Sequence, residues 1–295
     1  MKPQLLFYKL KDKMKKQFVN LLVILLTASG LLSSCNSKTN RNYGALEFDS
    51  IPLNVTEHLF ADTAKPACNL VISLAYVKQS TDEALKDSLN TYFLATCLGN
   101  EFTGMTPQEA VQQYKEQYVK NYRNDLEELY QKEQEEFGDA DQRAWYSYYK
   151  YVRSQAQLYK KNLLVYHTRY EEYTGGAHGI YMDSFLNLDL RTLSPIRLDD
   201  LFADNYEEAL TDLLWNQLMA DNKVTTRQEL EDLGYGSTGD LTPTENFYIG
   251  EKGLTFHYNV YEIAPYVMGG IEIELPYEVM AHLLNDEHKI LDSVK

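Results

Sequence analysis

Between Tyr173 and Leu190 the chain reads YTGGAHGIYMDSFLNLDL, a glycine-rich pentad followed by a regular alternation, and few folds accommodate both. Ile180, Met182, Leu186, Leu188 and Leu190 share one parity while Asp183, Asn187 and Asp189 take the other. That is the pattern of a strand with one face buried and one solvated. Leu163 to Tyr173 (LLVYHTRYEEY) is rich in aromatic and β-branched residues and predicts a second strand just before it. A phosphate cradle would need its glycines to lead into a helix N-terminus, and a metal site would need another ligand spaced near His178. Neither is present. Gly175, Gly176 and Gly179 between two strands are what a hairpin corner needs where φ must be positive, with a binding role for His178 as the alternative.

The rest of the chain supplies partners for that hairpin. Cys68 to Val77 (CNLVISLAYV) predicts a strand covered on both faces, and Trp145 to Val152 (WYSYYKYV) another strand. Ser80 to Glu83 and Thr106 to Glu109 are capping boxes opening helices to Gly99 and Gly138. The second helix repeats its apolar residues every four positions, so either different neighbours grip its two ends or it breaks in the middle. Asn205 is expected to cap a helix through Met219, and Thr226 a short one ending at Gly234. Gly234 to Asn246 is a Gly, Ser, Thr and Pro-rich loop and a candidate contact surface. Phe247 to Ile249, Leu254 to Tyr261 and Ile271 to Leu275 predict strands, and Pro276 opens a last helix through Leu284. The expected fold is α+β, a largely antiparallel sheet with helices packed on it, in two closely associated parts, 45–160 and 161–290.

The N-terminal stretch stands apart. Lysines at 11, 13, 15 and 16 precede the apolar run Phe18 to Leu26, and Leu32-Ser33-Ser34-Cys35 follows. This is the order of a secretory signal, 1–34, ending in a lipobox that predicts lipidation of Cys35. Residues 35–44 are then a polar tether. The expectation is an exported protein, lipid-anchored in the bacterial cell envelope, periplasmic or on the outer membrane. Cys68 and Cys97 are a candidate disulfide in such a compartment, or two separate buried thiols. The whole chain carries 28 Lys and Arg against 43 Asp and Glu, and six of those cations but one of those anions precede Cys35. So acidic a remainder argues against nucleic acid as a partner and favours a basic one.

Motifs for chemistry are scarce. No G-x-S-x-G, H-E-x-x-H, Walker loop or paired CxxC occurs, so no catalytic residue, metal ligand or cofactor is assigned. The histidines at 58, 167, 178, 257, 282 and 288 show no ligand spacing. Asp183, Asp189, Glu262, Glu272 and Glu274 are assigned to the solvated face of a sheet, with an uncharacterised carboxylate hydrolase as the remote reading. Tyrosine is the unusual component, 24 in the chain with a cluster at 146, 148, 149 and 151. Tyrosine suits both protein interfaces and sugar stacking. Tyr146, Tyr149, His178, Tyr235 and Asp240 are the candidate ligand-binding residues.

YTGGAHGIYMDSFLNLDLRTLSPIRLDDLF and the later GLTFHYNVYEIAPYVMGGIEIELPYEVM resemble the extracytoplasmic module of RsiV-type anti-sigma factors. The same module precedes the catalytic domain of PdaC-type peptidoglycan deacetylases. Tyr173, Gly175, Gly176, Ala177, His178, Gly179, Asn187, Asp189, Leu201, Phe202, Tyr266, Gly269 and Pro276 carry the resemblance, which spans about Ala45 to Leu284. In the RsiV branch the module is a receptor for lysozyme, a very basic protein. The resemblance therefore implies a binding module, not an enzyme, for lysozyme or another cationic envelope-active protein, as sensor or inhibitor. The alternative is a module that binds peptidoglycan glycan through its tyrosines.

Overall fold

The computed structural model describes residues 46–138, 143–285 and 289–294. The signal, Cys35 and the tether lie outside them. Six strands form one sheet in the order β1 (Glu47–His58), β2 (Ala67–Gln79), β3 (Tyr148–Lys160), β4 (Leu163–Tyr173), β5 (Ile180–Asp189) and β6 (Ser194–Pro195). All pairings are antiparallel except β2 with β3, whose parallel crossover is made by two helices, α1 (Glu83–Cys97) and α2 (Pro107–Phe137). A second sheet joins β7 (Phe247–Ile249), β8 (Gly253–Tyr258) and β9 (Ile271–Pro276), with α3 (Glu207–Asn222) and α4 (Arg227–Asp232) beside it. The fold is α+β as expected. The division expected at 160 falls in the turn of the β3–β4 hairpin, so the two parts share one continuous sheet.

The two helices cover one face of the large sheet. Leu85, Leu89 and Phe93 of α1 pack on Leu164, Tyr166, Leu186 and Leu188, and Phe93 lies flat on Tyr166 with ring centroids 3.8 Å apart. Thr106 and Glu109 close the predicted capping box of α2, whereas α1 is capped by Asp82, two residues later than expected. The fourfold repeat of α2 is explained without a break. Its first half (Ala110, Val111, Tyr114, Tyr118) grips Leu70, Ile72 and Leu74, and its second half (Tyr122, Leu126, Tyr130) grips Leu59, Cys68 and Tyr146.

Several local expectations are corrected. β1 has no counterpart among the predicted elements; Pro52 in its middle is compatible with an edge strand, whose outer N–H groups are unpaired. Arg143–Tyr146 is a helical turn, so β3 begins at Tyr148 and runs on to Lys160. Asn205 adopts φ +64° and caps nothing with its side chain, and α3 extends to Asn222. After Pro276 the helix is short, Tyr277–Met280. Cys68 and Cys97 are free. Burial pushes the Cys68 thiol up to about 11, and Cys97 sits by the Tyr166 and Thr168 hydroxyls at 3.5 and 3.3 Å.

The largest correction concerns Asp183, Asn187 and Asp189, which are all buried rather than solvated. The outer edge of β5 from Asp183 to Asn187 has no neighbouring strand, yet it abuts the second sheet. Asparagine amides do the pairing there. Asn259 Oδ1 accepts from the Asp183 N–H (2.8 Å) and Asn246 Oδ1 from the Phe185 N–H (3.0 Å), while both Nδ2 groups donate to the Asp183 carbonyl. Asn187 works the other way: its Nδ2 donates to the Phe247 carbonyl (2.7 Å) and its Oδ1 accepts from the Ile249 N–H (2.9 Å). Asp189 is held within its own turn by Arg191. Replacing Asn187 by Ala strands two buried backbone groups of β7, so urea unfolding should show a loss of about 2–5 kcal/mol. A loss below about 1 kcal/mol would mean that the seam is not a mainstay of the fold.

Candidate functional site

The corner between β4 and β5 is built as the glycines predict. Gly175 and Gly176 adopt φ +87° and +110°, and the Tyr173 hydroxyl donates to the Gly176 carbonyl (2.9 Å), closing the loop. Gly179 is required by space, since a Cβ there would come within 2.4 Å of the Tyr149 hydroxyl and 2.8 Å of the Glu172 carbonyl. His178 is exposed at the tip of this corner. Its Nδ1 donates to the Gly179 carbonyl (2.8 Å), its Nε2 lies 3.1 Å from the Tyr261 hydroxyl, and its ring stacks on Tyr266 at 4.2 Å.

From the corner a row of rings runs along the face of the sheet opposite α1 and α2. Tyr173 stacks on Tyr149, and Tyr149 on Tyr151, at 5.9 and 5.0 Å and 21° in each case. Arg153 lies over Tyr151 and Arg169 over Tyr181. Tyr149 thus stacks with two neighbouring rings, and ring area engaged in those contacts is not open to a sugar.

Next to the row lies a charged hub. Asp183 accepts from His167 Nε2 (2.7 Å) and Arg169 Nη1 (3.2 Å), with His257 Nε2 at 4.0 Å. His257 Nδ1 lies 3.3 Å from Glu272. Burial works to raise the Asp183 carboxyl, but the His167 hydrogen bond and the charges of Arg169 and His257 outweigh it and hold it below the usual carboxylate range. Glu262, in the turn after β8 and not on a strand, is raised by burial. Among the described residues no group of three or more His, Cys, Asp or Glu could hold a metal ion.

Of the predicted ligand-binding residues, Tyr149 and His178 come together at the corner. Tyr146 and Tyr235 are buried, which removes them from the surface: the Tyr146 hydroxyl donates to Glu133 and the Tyr235 hydroxyl to Asn222. Asp240 is exposed, in a loop that packs beside the Tyr261 segment through Gly236 and Gly239. The segment from Tyr261 to Gly269 is absent from the residues expected at the site. Tyr261 ends a stretch that predicts a strand, but β8 stops at Tyr258, and Tyr266–Met268 forms a 3-10 turn whose Val267 is 89% exposed. Pro265 and Gly269-Gly270 bracketing an apolar pair are the signal the sequence offers for it.

This segment belongs to a larger apolar end. The sheet registers place His58, Ala67, Tyr148 and Tyr173 at the corner end, and Glu47, Gln79, Lys160 and Leu163 at the other. Of the seven large hydrophobic side chains exposed among the described residues, Phe60, Trp145, Leu233, Tyr261 and Val267 lie toward the corner end. Trp145 is 62% exposed, and its carbonyl meets Gly175; Leu233 precedes Gly234, which packs on Pro265 and Met268. Tyr159 and Val279 are the two at the far end.

Residues 62–181 match the family model of the deacetylase PdaC, and residues 199–278 match that of a protein of unknown function, DUF3298. No curated protein matches the chain. It is similar to the crystal structure of a DUF3298 family member from Bacteroides fragilis, at 59% identity and a TM-score of 0.83, covering 86% of this chain and 99% of that one. A DUF3298 family protein from Pseudomonas aeruginosa shares the fold at 17% identity and a TM-score of 0.59, covering 82% of this chain and 95% of that one.

The depressed Asp183 carboxyl stabilises the fold above the unfolded carboxylate pKa of about 3.9, and that contribution is lost as pH falls through the lower, folded value. Asp183→Asn should therefore destabilise the protein at pH 7 and flatten the acid limb of its stability profile below about pH 4. Parallel acid limbs for the two proteins, measured by urea titration at each pH, would refute this.

Proposed function

The chain belongs to the DUF3298 family, whose function is unknown, and from that premise we propose that it is a cell-envelope binding module for a cationic envelope-active protein, lysozyme being the type. The carrying observation is the gathering of Phe60, Trp145, Leu233, Tyr261 and Val267 at one end of the sheet. Exposed apolar side chains scattered singly need no explanation, but five of the seven exposed among the described residues lie toward one end of the sheet, the distribution that a protein-docking surface would give. The excess of acid over base adds long-range attraction for a basic partner, which raises the rate of encounter more than the strength of the complex.

Glycan adhesion has less support, because Tyr149, Tyr151 and Tyr173 already stack with one another and Arg153 lies over Tyr151. Of the carboxylates considered for a hydrolase, Asp183 is committed to His167 and Arg169 and Asp189 to Arg191.

The test is binding to a c-type lysozyme at low and physiological salt, with cytochrome c as a basic control. Binding of lysozyme alone that persists at physiological salt, and falls at least about tenfold in Tyr261→Ala/Val267→Ser, is the expected result. Equal, salt-sensitive binding of both proteins would reduce the acidic surface to an unspecific attractor. Cys35→Ser should move the protein from the membrane to the soluble fraction of cells; a membrane fraction unaffected by the substitution would overturn the lipid anchor.

A further inference from the structure

His178 is a residue that stability alone does not explain. It is exposed, it lies at the tip of a corner made by two left-handed glycines, and both its ring nitrogens are engaged. A backbone carbonyl can only accept, so the bond to Gly179 places a proton on Nδ1. In the neutral imidazole that leaves Nε2 as the acceptor for the Tyr261 hydroxyl, and the face of the ring for Tyr266. One imidazole thereby joins the β4–β5 corner of the large sheet to the loop that follows β8 of the small one.

Tyr261 is unusual in its own right. It adopts φ +70°, a left-handed conformation that residues other than glycine rarely take, and its ring is exposed at the same time. An exposed tyrosine gains little from burial to offset such a backbone. Its backbone is held by the turn that the Glu262 N–H closes on the Asn259 carbonyl (3.0 Å), and its side chain by the hydroxyl bond to His178 and the rings of Tyr266 and His178, at 5.5 and 6.3 Å. Tyr266 in turn meets Tyr181 edge-on at 6.0 Å, and Arg169 lies over Tyr181. The rings at the docking end are thus fixed before any partner arrives. Fixing them in advance removes ordering entropy from the cost of binding.

We propose that His178 is a positioning residue, a clip that holds Tyr261 and Tyr266 in one pre-formed recognition surface for the partner protein. The assignment of the partner rests on the docking function proposed above, whereas the clip itself does not. The corner glycines then serve a definite purpose, which is to set one imidazole between two sheets.

Two readouts on the purified full chain separate the clip from the partner. The first is NMR. Under conditions where the His178 ring is neutral, its proton should sit on Nδ1 and not on Nε2, and the Tyr261 and Tyr266 ring signals should be dispersed. His178→Ala should collapse those ring signals toward averaged positions without lowering the melting temperature, and His178→Gln, which restores an acceptor near the Nε2 position, should recover part of the dispersion. The second readout is affinity for a c-type lysozyme, expected to fall about tenfold in His178→Ala and less in His178→Gln. Unchanged ring signals in His178→Ala would overturn the clip. Altered ring signals with undiminished lysozyme affinity would overturn its role in recognition. Altered ring signals with no lysozyme binding by the native protein would uphold the clip and overturn the choice of partner.

Discussion

The open edge of β5 is the constraint on which the rest of this structure depends. A strand edge carries N–H and C=O groups that must be paired, covered or solvated, and here they face another sheet and not water. Asn246 and Asn259 pair that edge through their amides, and Asn187 returns the bonds to β7. An amide offers a donor and an acceptor, as a backbone peptide does, so three side chains can imitate a short ladder between sheets that do not share one. Beside this seam Leu163 and Val165 of the large sheet join the core built by α3 and β7–β9, which ties the two halves together by burial as well.

The seam also decides what is displayed. By holding β7 against β5 and tying Asn259, just after β8, to Asp183, it brings the loop after β8 to the corner between β4 and β5, and so brings Tyr261 and Tyr266 to His178. The large sheet contributes Tyr149, Tyr151 and Tyr173 in a row ending at that corner. Neither half forms the surface alone. The charged hub around Asp183 sits between the seam and the ring row, with Arg169 touching both Asp183 and Tyr181. In the function proposed, an end with apolar anchors on an acid-rich chain would combine short-range specificity with long-range attraction.

Much of the fold is legible in the residues because local rules govern it. The glycine corner, the capping boxes at Thr106 and Thr226, and the apolar run of β2 all form as their chemistry dictates. The polar parity of β5 misleads for a definable reason: a row of Asp and Asn looks the same in sequence whether it bonds water or another sheet. Pro52 hides β1, since proline within a run argues against a strand unless the strand is an edge. At the site, a motif marks His178 and a cluster marks Tyr149. Nothing in the sequence separates them from Tyr146 and Tyr235, because a tyrosine's exposure depends on its tertiary neighbours. The proposed docking end is illegible, since Phe60, Trp145, Leu233, Tyr261 and Val267 are far apart in the chain and come toward one end only through the registers of the sheet and the loops on it.

The most direct test of the corner end as the working surface is hydrogen–deuterium exchange of the protein with and without a saturating c-type lysozyme. Added protection is expected at residues 173–180 and 261–268, with flanking protection around Phe60 and Trp145 and none near Tyr159 or Val279. Protection at the far end instead, or confined to the loop 234–246, would contradict a docking surface at the corner.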